Sequence, residues 1–183
     1  PKCVDCKSPT IAYVELSING QDWTKDLTPF TYTHVPTVSY VEPLQSDLGG
    51  KTLIAVHGYN FVDSSTLKCR FSNSTATFFV VARWKTSEWI NCLSPKVLVA
   101  GSMVLAVTNN DYEYSFNDIN FKFVHGAVVT GLKPTTGPIT GGTNVILSGA
   151  NFEFSSFLNC RFGSHSIVPA SYVSGTMIMC RTP

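Results

Sequence analysis

A chain of 183 residues has room for one large domain or two small ones. Its 13 basic and 12 acidic residues leave a net charge of +1, which excludes a general electrostatic pull on nucleic acid or anionic lipid. Charged residues make up only 14%, and Ser, Thr, Asn, Val, Phe and Tyr take their place, the composition of strands and turns rather than of helices. The first predicted element is a strand in which Ala12, Val14, Leu16 and Ile18 alternate with Tyr13, Glu15 and Ser17, one face buried and one wet. Asn19-Gly20 follows directly as a hairpin turn, since both residues accept positive φ. A second strand then carries Phe30 and Tyr32 on one face. Further short strands are predicted at 38–41, 52–56, 67–71, 76–82, 88–90, 103–107 and 121–124, with Pro43, Gly49-Gly50, Gly137-Pro138 and Gly141-Gly142 marking turns. About seven strands in roughly 90 residues, with no credible helix, predict a β-sandwich.

No apolar run reaches the length of a membrane span. With no initiating Met and no signal-peptide pattern, the expectation is a mature or excised piece. The 6 cysteines are an even number, which in a secreted chain reads as a set of disulfides whose connectivity is open. The sequon Asn73-Ser74-Thr75 is consistent with a secretory route.

Internal repetition is the strongest signal. Leu67-Lys68-Cys69-Arg70-Phe71 recurs as Leu158-Asn159-Cys160-Arg161-Phe162, at a spacing of 91. Gly58-Tyr59-Asn60-Phe61 recurs as Gly149-Ala150-Asn151-Phe152, Pro43 as Pro134, and Gly50 and Thr52 as Gly141 and Thr143, all at 91. Ile90-Asn91-Cys92-Leu93-Ser94-Pro95 recurs as Ile178-Met179-Cys180-Arg181-Thr182-Pro183, now at 88. The stretch after Pro95 has its counterparts at the head of the chain. Ala12 to Leu16 lies 91 before Met103 to Val107, Asn19 before Asn110, Phe30-Thr31-Tyr32 before Phe121-Lys122-Phe123, and His34 before His125. Residues 1–33 therefore read as the closing hairpin strands of a module whose beginning is absent. Residues 34–125 read as a complete module, and 126–183 as a module lacking its last strands. The joints near His34 to Pro36 and His125 to Ala127 are too short for loose linkers.

Pro43, Gly49-Gly50, Thr52 to Val56 and Gly58-Tyr59-Asn60-Phe61 resemble the opening of an IPT/TIG domain, as do Pro134, Gly141-Gly142-Thr143 and Gly149-Ala150-Asn151-Phe152. The pairs Cys69…Cys92-Leu93-Ser94-Pro95 and Cys160…Cys180-Arg181-Thr182-Pro183 resemble the cysteine pattern of the family's cell-surface members. Ser17 to Trp23 through Phe30-Thr31-Tyr32 resembles its closing hairpin. The resemblance implies an all-β fold of tandem immunoglobulin-like β-sandwiches, here in a permuted frame. It is the fold of extracellular receptors, adhesion proteins and arrays, and also of some DNA-binding transcription factors. By matched position Cys69–Cys92 and Cys160–Cys180 are each expected to pin two strands of one sandwich. Cys3 and Cys6 either close on each other or reach Cys160 or Cys180 of another molecule.

The frame carries the functional expectation. Residues 126–183 alone would supply about five strands and leave an open sheet edge beside an uncovered groove. The hairpin at about 10–33 is separated from that groove by a whole module but can reach the groove of another molecule, a form of β-strand addition. Ala12, Val14, Leu16, Ile18, Phe30 and Tyr32 would enter it. The expected function is a structural subunit of a secreted or cell-surface filament growing head to tail. Its expected partners are copies of itself and an N-linked glycan at Asn73, with no nucleic acid and no membrane span. The alternative is a slice of a longer tandem IPT/TIG adhesion or receptor ectodomain, in which the same polypeptide supplies the missing strands.

No catalytic constellation emerges, and the expectation is a non-enzyme without cofactor or metal. His34, His57, His125 and His165 scatter over different strands and joints. There is no phosphate loop and no nucleophile elbow, and no His stands near the cysteines at zinc-ligand spacing. Asp22, Asp26, Asp111, Glu113 and Asp118 read as solvated turns ahead of a weak calcium site. Arg83, Trp84, Lys85 and Trp89 read as the rim of a half-buried strand ahead of a glycan or partner contact. Neutral charge counts against a nucleic-acid role.

Overall fold

The computed structural model describes residues 10–117 and 119–183. Cys3, Cys6 and Asp118, with the expectations placed on them, lie outside the described residues. Every regular element among the described residues is a β-strand.

β1 (Thr10–Val14) and β2 (Thr28–Tyr32) form a two-stranded antiparallel ribbon, with Ala12 facing Phe30 and Val14 facing Thr28. The strand predicted through Ile18 therefore ends at Val14, and residues 15–27 are a loop rather than a tight Asn19-Gly20 turn. Side-chain bonds explain the difference. The Leu16 amide donates to Thr24 Oγ1 at 3.0 Å, and the Thr24 amide donates to the Leu16 carbonyl at 3.0 Å. Asn19 Oδ1 accepts the amides of Gln21 and Asp22. These local bonds outcompete the ladder a longer hairpin would need.

The first repeat comprises β3 (Thr37–Glu42), β4 (Gln45–Asp47), β5 (Leu53–Tyr59), β6 (Lys68–Ser72), β7 (Thr77–Val81), β8 (Arg83–Thr86), β9 (Trp89–Leu93), β10 (Gly101–Thr108) and β11 (Ile119–Val124). They make two sheets, ordered β3-β5-β9-β8 and β4-β11-β10-β6-β7. β4 and β8 go beyond the predicted strands. β4 spans three residues, too few to show a period. Ala82, whose amide donates to the Leu67 carbonyl at 3.1 Å, separates β7 from β8. Val38, Ile54, Val56, Phe71 and Phe121 are fully buried, the inward half of strands that alternate, and β10 is buried on both faces from Leu105 to Thr108. A disulfide joins Cys69 of β6 to Cys92 of β9 with 6.4 Å between Cα atoms.

The second repeat is a single antiparallel sheet ordered β12-β13-β16-β15-β14. Its strands are β12 (Val128–Lys133), β13 (Asn144–Ala150), β14 (Asn159–Phe162), β15 (Ser166–Ser174) and β16 (Met177–Arg181). β15 runs unbroken and pairs with both β14 and β16. Cys160 of β14 is bonded to Cys180 of β16, Cα atoms 6.3 Å apart.

The repetition extends to individual hydrogen bonds. Gly58 N donates to Glu88 O as Gly149 N does to Thr176 O, both at 2.9 Å. Ala82 N to Leu67 O is repeated as Ala170 N to Leu158 O. A Cβ on Gly58 would stand 1.9 Å from the Thr37 carbonyl oxygen, and one on Gly149 2.0 Å from that of Val128, so only glycine allows the neighbouring strand its approach. The change of spacing from 91 to 88 falls in one turn: Ser72 faces Thr77 in the first repeat, whereas Phe162 faces Ser166 in the second.

By packing, the chain divides into two units. One gathers the described residues up to Glu42 with Ile54–Cys92 and Val104–Ile119; the other gathers Pro43–Leu53, Leu93–Met103 and Asn120–Pro183. Each holds buried polar groups in hydrogen bonds of its own. In the first, Asn109 accepts the Val62 amide at 3.1 Å and donates to the Asn60 carbonyl at 2.8 Å. In the second, Ser46 Oγ is bonded to Thr52 Oγ1 at 2.8 Å and to Ser94 Oγ at 2.9 Å.

Candidate functional site

The second repeat carries an open apolar groove of about 500 Å³, lined by Val129, Leu132, Leu147, Phe152, Leu158 and Phe162 among others. Its lining is the core of the first repeat moved by one period. Val38 is 0% exposed and its counterpart Val129 56%; Val41 is 2% exposed and its counterpart Leu132 39%. Leu67 and Phe71 are buried, and their counterparts Leu158 and Phe162 only half so. In the first repeat β10 lies on β6, with Leu105 facing Phe71 and Val107 facing Cys69, and Phe121 and Phe123 of β11 are buried. Within residues 126–183 no strand stands where β10 and β11 stand.

Residues one period before those covering strands form the β1–β2 ribbon. Val14, Leu16, Phe30 and Tyr32 are exposed, Ala12 is half-buried, and Ile18 is 97% exposed. Phe30 and Tyr32 meet edge to face, centroids 5.0 Å apart. The ribbon already has the shape of a closing hairpin. Ser115 N donates to Val107 O at 2.8 Å and Val107 N to Ser115 Oγ at 3.1 Å, the same exchange that Thr24 makes with Leu16. Asn110 Oδ1 accepts the amides of Tyr112 and Glu113 as Asn19 does those of Gln21 and Asp22. Asp111 at φ 68° matches Gly20 at φ 72°. Ile18 departs from the pattern: it stands at the position of Asn109, in the loop rather than on the strand.

The remaining candidates separate from this pair of features. Asn73 is exposed, and its Oδ1 accepts the amides of Thr75 and Ala76 and the Thr75 hydroxyl, each at 2.9 Å. His57 is stacked between Tyr40 and Trp89, at 4.5 and 5.9 Å between ring centroids. His34, His125 and His165 are exposed. Asp22 accepts from Asn19 Nδ2, Glu113 from Asn110 Nδ2, and Asp111 pairs with Lys68 at 2.6 Å. Among the described residues no group of three His, Cys, Asp or Glu could hold a metal ion. Trp84 donates its indole N–H to the Phe61 carbonyl and Trp89 to Asn91 Oδ1.

Sequence reasoning named the ribbon residues Ala12, Val14, Leu16, Ile18, Phe30 and Tyr32 and missed those that line the groove. The signal was present, since Val129, Leu132, Leu147 and Phe162 each lie 91 after a buried residue of the first repeat. The aromatic stack of Tyr40, His57 and Trp89 was not legible, because it depends on a bulge between Val38 and Tyr40 that sets Tyr40 opposite His57.

The sequence model of the IPT/TIG domain matches residues 36–123 and again 127–183. The chain is similar to Plexin-A4 of Danio rerio, 20% identical over 157 residues, which is 84% of this chain and 8% of that protein. It is also similar to Plexin-2 of Caenorhabditis briggsae, 24% identical over 151 residues, 81% of this chain and 8% of that protein. Among solved structures, the full extracellular region of Plexin A4 superposes with a TM-score of 0.52 at 18% identity, covering 93% of this chain and 15% of that one. The chain thus spans less than a tenth of the length of these curated relatives.

Proposed function

Because the chain belongs to the IPT/TIG domain family, we propose that it is a stretch of a longer tandem array in the ectodomain of a cell-surface receptor or adhesion protein, a spacing and binding scaffold rather than an enzyme. The location is extracellular or at the cell surface, in keeping with disulfides in both repeats and the likeness to plexin extracellular regions. Among the described residues no helix is long and apolar enough to cross a membrane. In this reading 34–125 is one complete module, 126–183 opens a second, 1–33 closes another, and Asn73 is a glycan site. The observation that carries it is that an open apolar groove and an exposed apolar ribbon each lie one period from parts that are buried in the first repeat. Each module of the array is closed by a hairpin of the 10–33 kind.

The test is to add a second copy of residues 10–33 after Pro183. Amides of β12 and β14 should then gain protection from hydrogen exchange, and the second repeat should melt at a higher temperature. Unchanged exchange in β14 would rule out hairpin closure.

A second reading has a specific observation in its favour. The ribbon is exposed yet already carries the turn bonds of a closing hairpin, so it is organised to enter the groove of another molecule. Such head-to-tail insertion gives filaments if the rotation does not close. Electron microscopy of the purified chain separates the two: fibres for insertion, discrete particles for a slice of a continuous array.

A further inference from the structure

We propose that the outer face of the first repeat binds an arginine side chain of a partner protein, its guanidinium lying flat on the Trp89 indole and held by the Glu88 carboxylate. The inference goes beyond the array reading and stands whichever way the second repeat is closed.

The site is a row across one sheet. In the order β3-β5-β9-β8, Tyr40 faces His57 and Trp89 faces Thr86. The Tyr40 and His57 rings are parallel within 9° and those of His57 and Trp89 within 7°, with centroids separated by about the distance between adjacent strands. Rings so placed stand on the sheet face to face, one to a strand. His57 covers one face of Trp89. The other face looks along the row toward β8, where Thr86 is too short to cover it. A shallow pocket of about 380 Å³ opens beside the row, lined by Tyr40, His57, Tyr59, Thr86, Glu88 and Trp89 among others.

The fold does not ask for these side chains. The second repeat has the matching bulge and the matching strand order. Yet at the matched positions stand Gly131 for Tyr40, Ser148 for His57, Ala150 for Tyr59, Thr176 for Glu88 and Met177 for Trp89. Tyr40, Tyr59 and Trp89 are exposed, so they cover no core. All four strands of this sheet are present, so the pocket is not the gap of an absent strand.

Its chemistry selects a cation. Ring faces are electron-rich. Glu88 belongs to neither of the ion pairs among the described residues, Lys68–Asp111 and Lys122–Glu153. Arg83 and Lys85 of β8 leave the Trp89 face uncovered, since the cation–π contact among the described residues is that of Arg70 over Tyr114. That contact, 4.0 Å from guanidinium to ring centroid, shows how a guanidinium sits on a ring in the other sheet of the same repeat. A planar guanidinium continues a stack of parallel rings and offers two N–H donors to one carboxylate, which the ammonium of lysine does not. With a net charge of +1, no general field draws a partner, and recognition rests on contact.

The experiment uses the full chain and, as probe, a blocked Gly-Ser peptide with a single arginine, followed by magnetic resonance at the Trp89 indole N–H and the Glu88 amide. Both signals should shift and saturate in the millimolar range. The same peptide with lysine should bind about threefold more weakly, and with glutamine it should not shift them. Trp89→Met and Glu88→Thr install the second repeat's own residues at matched positions, with thermal melting as the control of folding. The first should abolish binding and the second weaken it about two- to fivefold. Trp89→Phe keeps a ring and should bind between Met and Trp. No shift with the arginine peptide, or equal shifts with arginine, lysine and glutamine, would overturn the site. Tighter binding of methyl glucoside or choline than of the arginine peptide would overturn the guanidinium as its ligand.

Discussion

Val38 and Val129 are the same residue at equivalent places in two repeats, yet one is fully buried and the other more than half exposed. Their strands, neighbours and turn bonds correspond. The difference lies in what stands across the sheet: in the first repeat two strands carry Met103, Leu105, Val107, Phe121 and Phe123, and in the second there is open space. An apolar pattern therefore specifies which face seeks burial, and a covering layer decides whether burial is reached.

The largest expected break in that comparison comes from one pair of aromatic truncations. Phe71→Ala removes a fully buried ring and should cost the first repeat about 3–5 kcal/mol. Phe162→Ala removes a half-buried ring from the groove lining and should cost the second repeat less than about half of that. Denaturation followed separately in each repeat, for instance by hydrogen exchange, checks the ratio. Equal losses would mean that the groove is closed in solution. With the hairpin appended, the two costs should converge.

The disulfides sharpen the same contrast at an intermediate scale. Cys69–Cys92 closes a separation of 23 residues and Cys160–Cys180 one of 20, so the unfolded-chain entropy each removes is nearly equal, about 3 kcal/mol. The consequence should be unequal. Cys69→Ser with Cys92→Ser leaves a repeat of two packed sheets that stays folded with a lowered melting temperature. Cys160→Ser with Cys180→Ser takes the same amount from a single sheet with a small core, and that repeat should lose cooperative melting until a closing hairpin is appended. Proton spectra recorded with and without the appended residues 10–33 would show it.

How much was legible beforehand follows from the same physics. Strands β3, β6 and β11 were readable because Val38, Phe71 and Phe121 alternate with polar neighbours, and β5, β9 and β10 because short apolar stretches around Ile54, Ile90 and Leu105 stand between turn signals. The five strands of the second repeat were readable by its spacing from the first. The end of β1 was not. Leu16 and Ile18 continue the alternation, but the decision lies with the Thr24 hydroxyl and the Asn19 amide, whose bonds to backbone appear in no hydrophobic pattern. The ribbon was legible as an apolar alternation, from Ala12, Val14 and Leu16, one period before the strands β10 and β11.

The smallest effect concerns a charge pair present in only one of the two closing hairpins. Lys68 and Asp111 are bonded at 2.6 Å with side-chain exposures of 29% and 36%. One period away stand Asn159 and Gly20, which cannot form it. Asp111 also holds φ at 68°, a left-handed conformation that Asp and Asn tolerate better than most residues. Asp111→Asn therefore deletes the charge while keeping the turn. The loss should be about 0.2–1 kcal/mol, since exposed pairs gain little after solvation and ordering. Repeating the melting measurement in 1 M salt should erase the difference, because the screening length there falls to about 3 Å. A deficit that survives high salt would place the contribution of Asp111 in the left-handed turn it holds rather than in its charge.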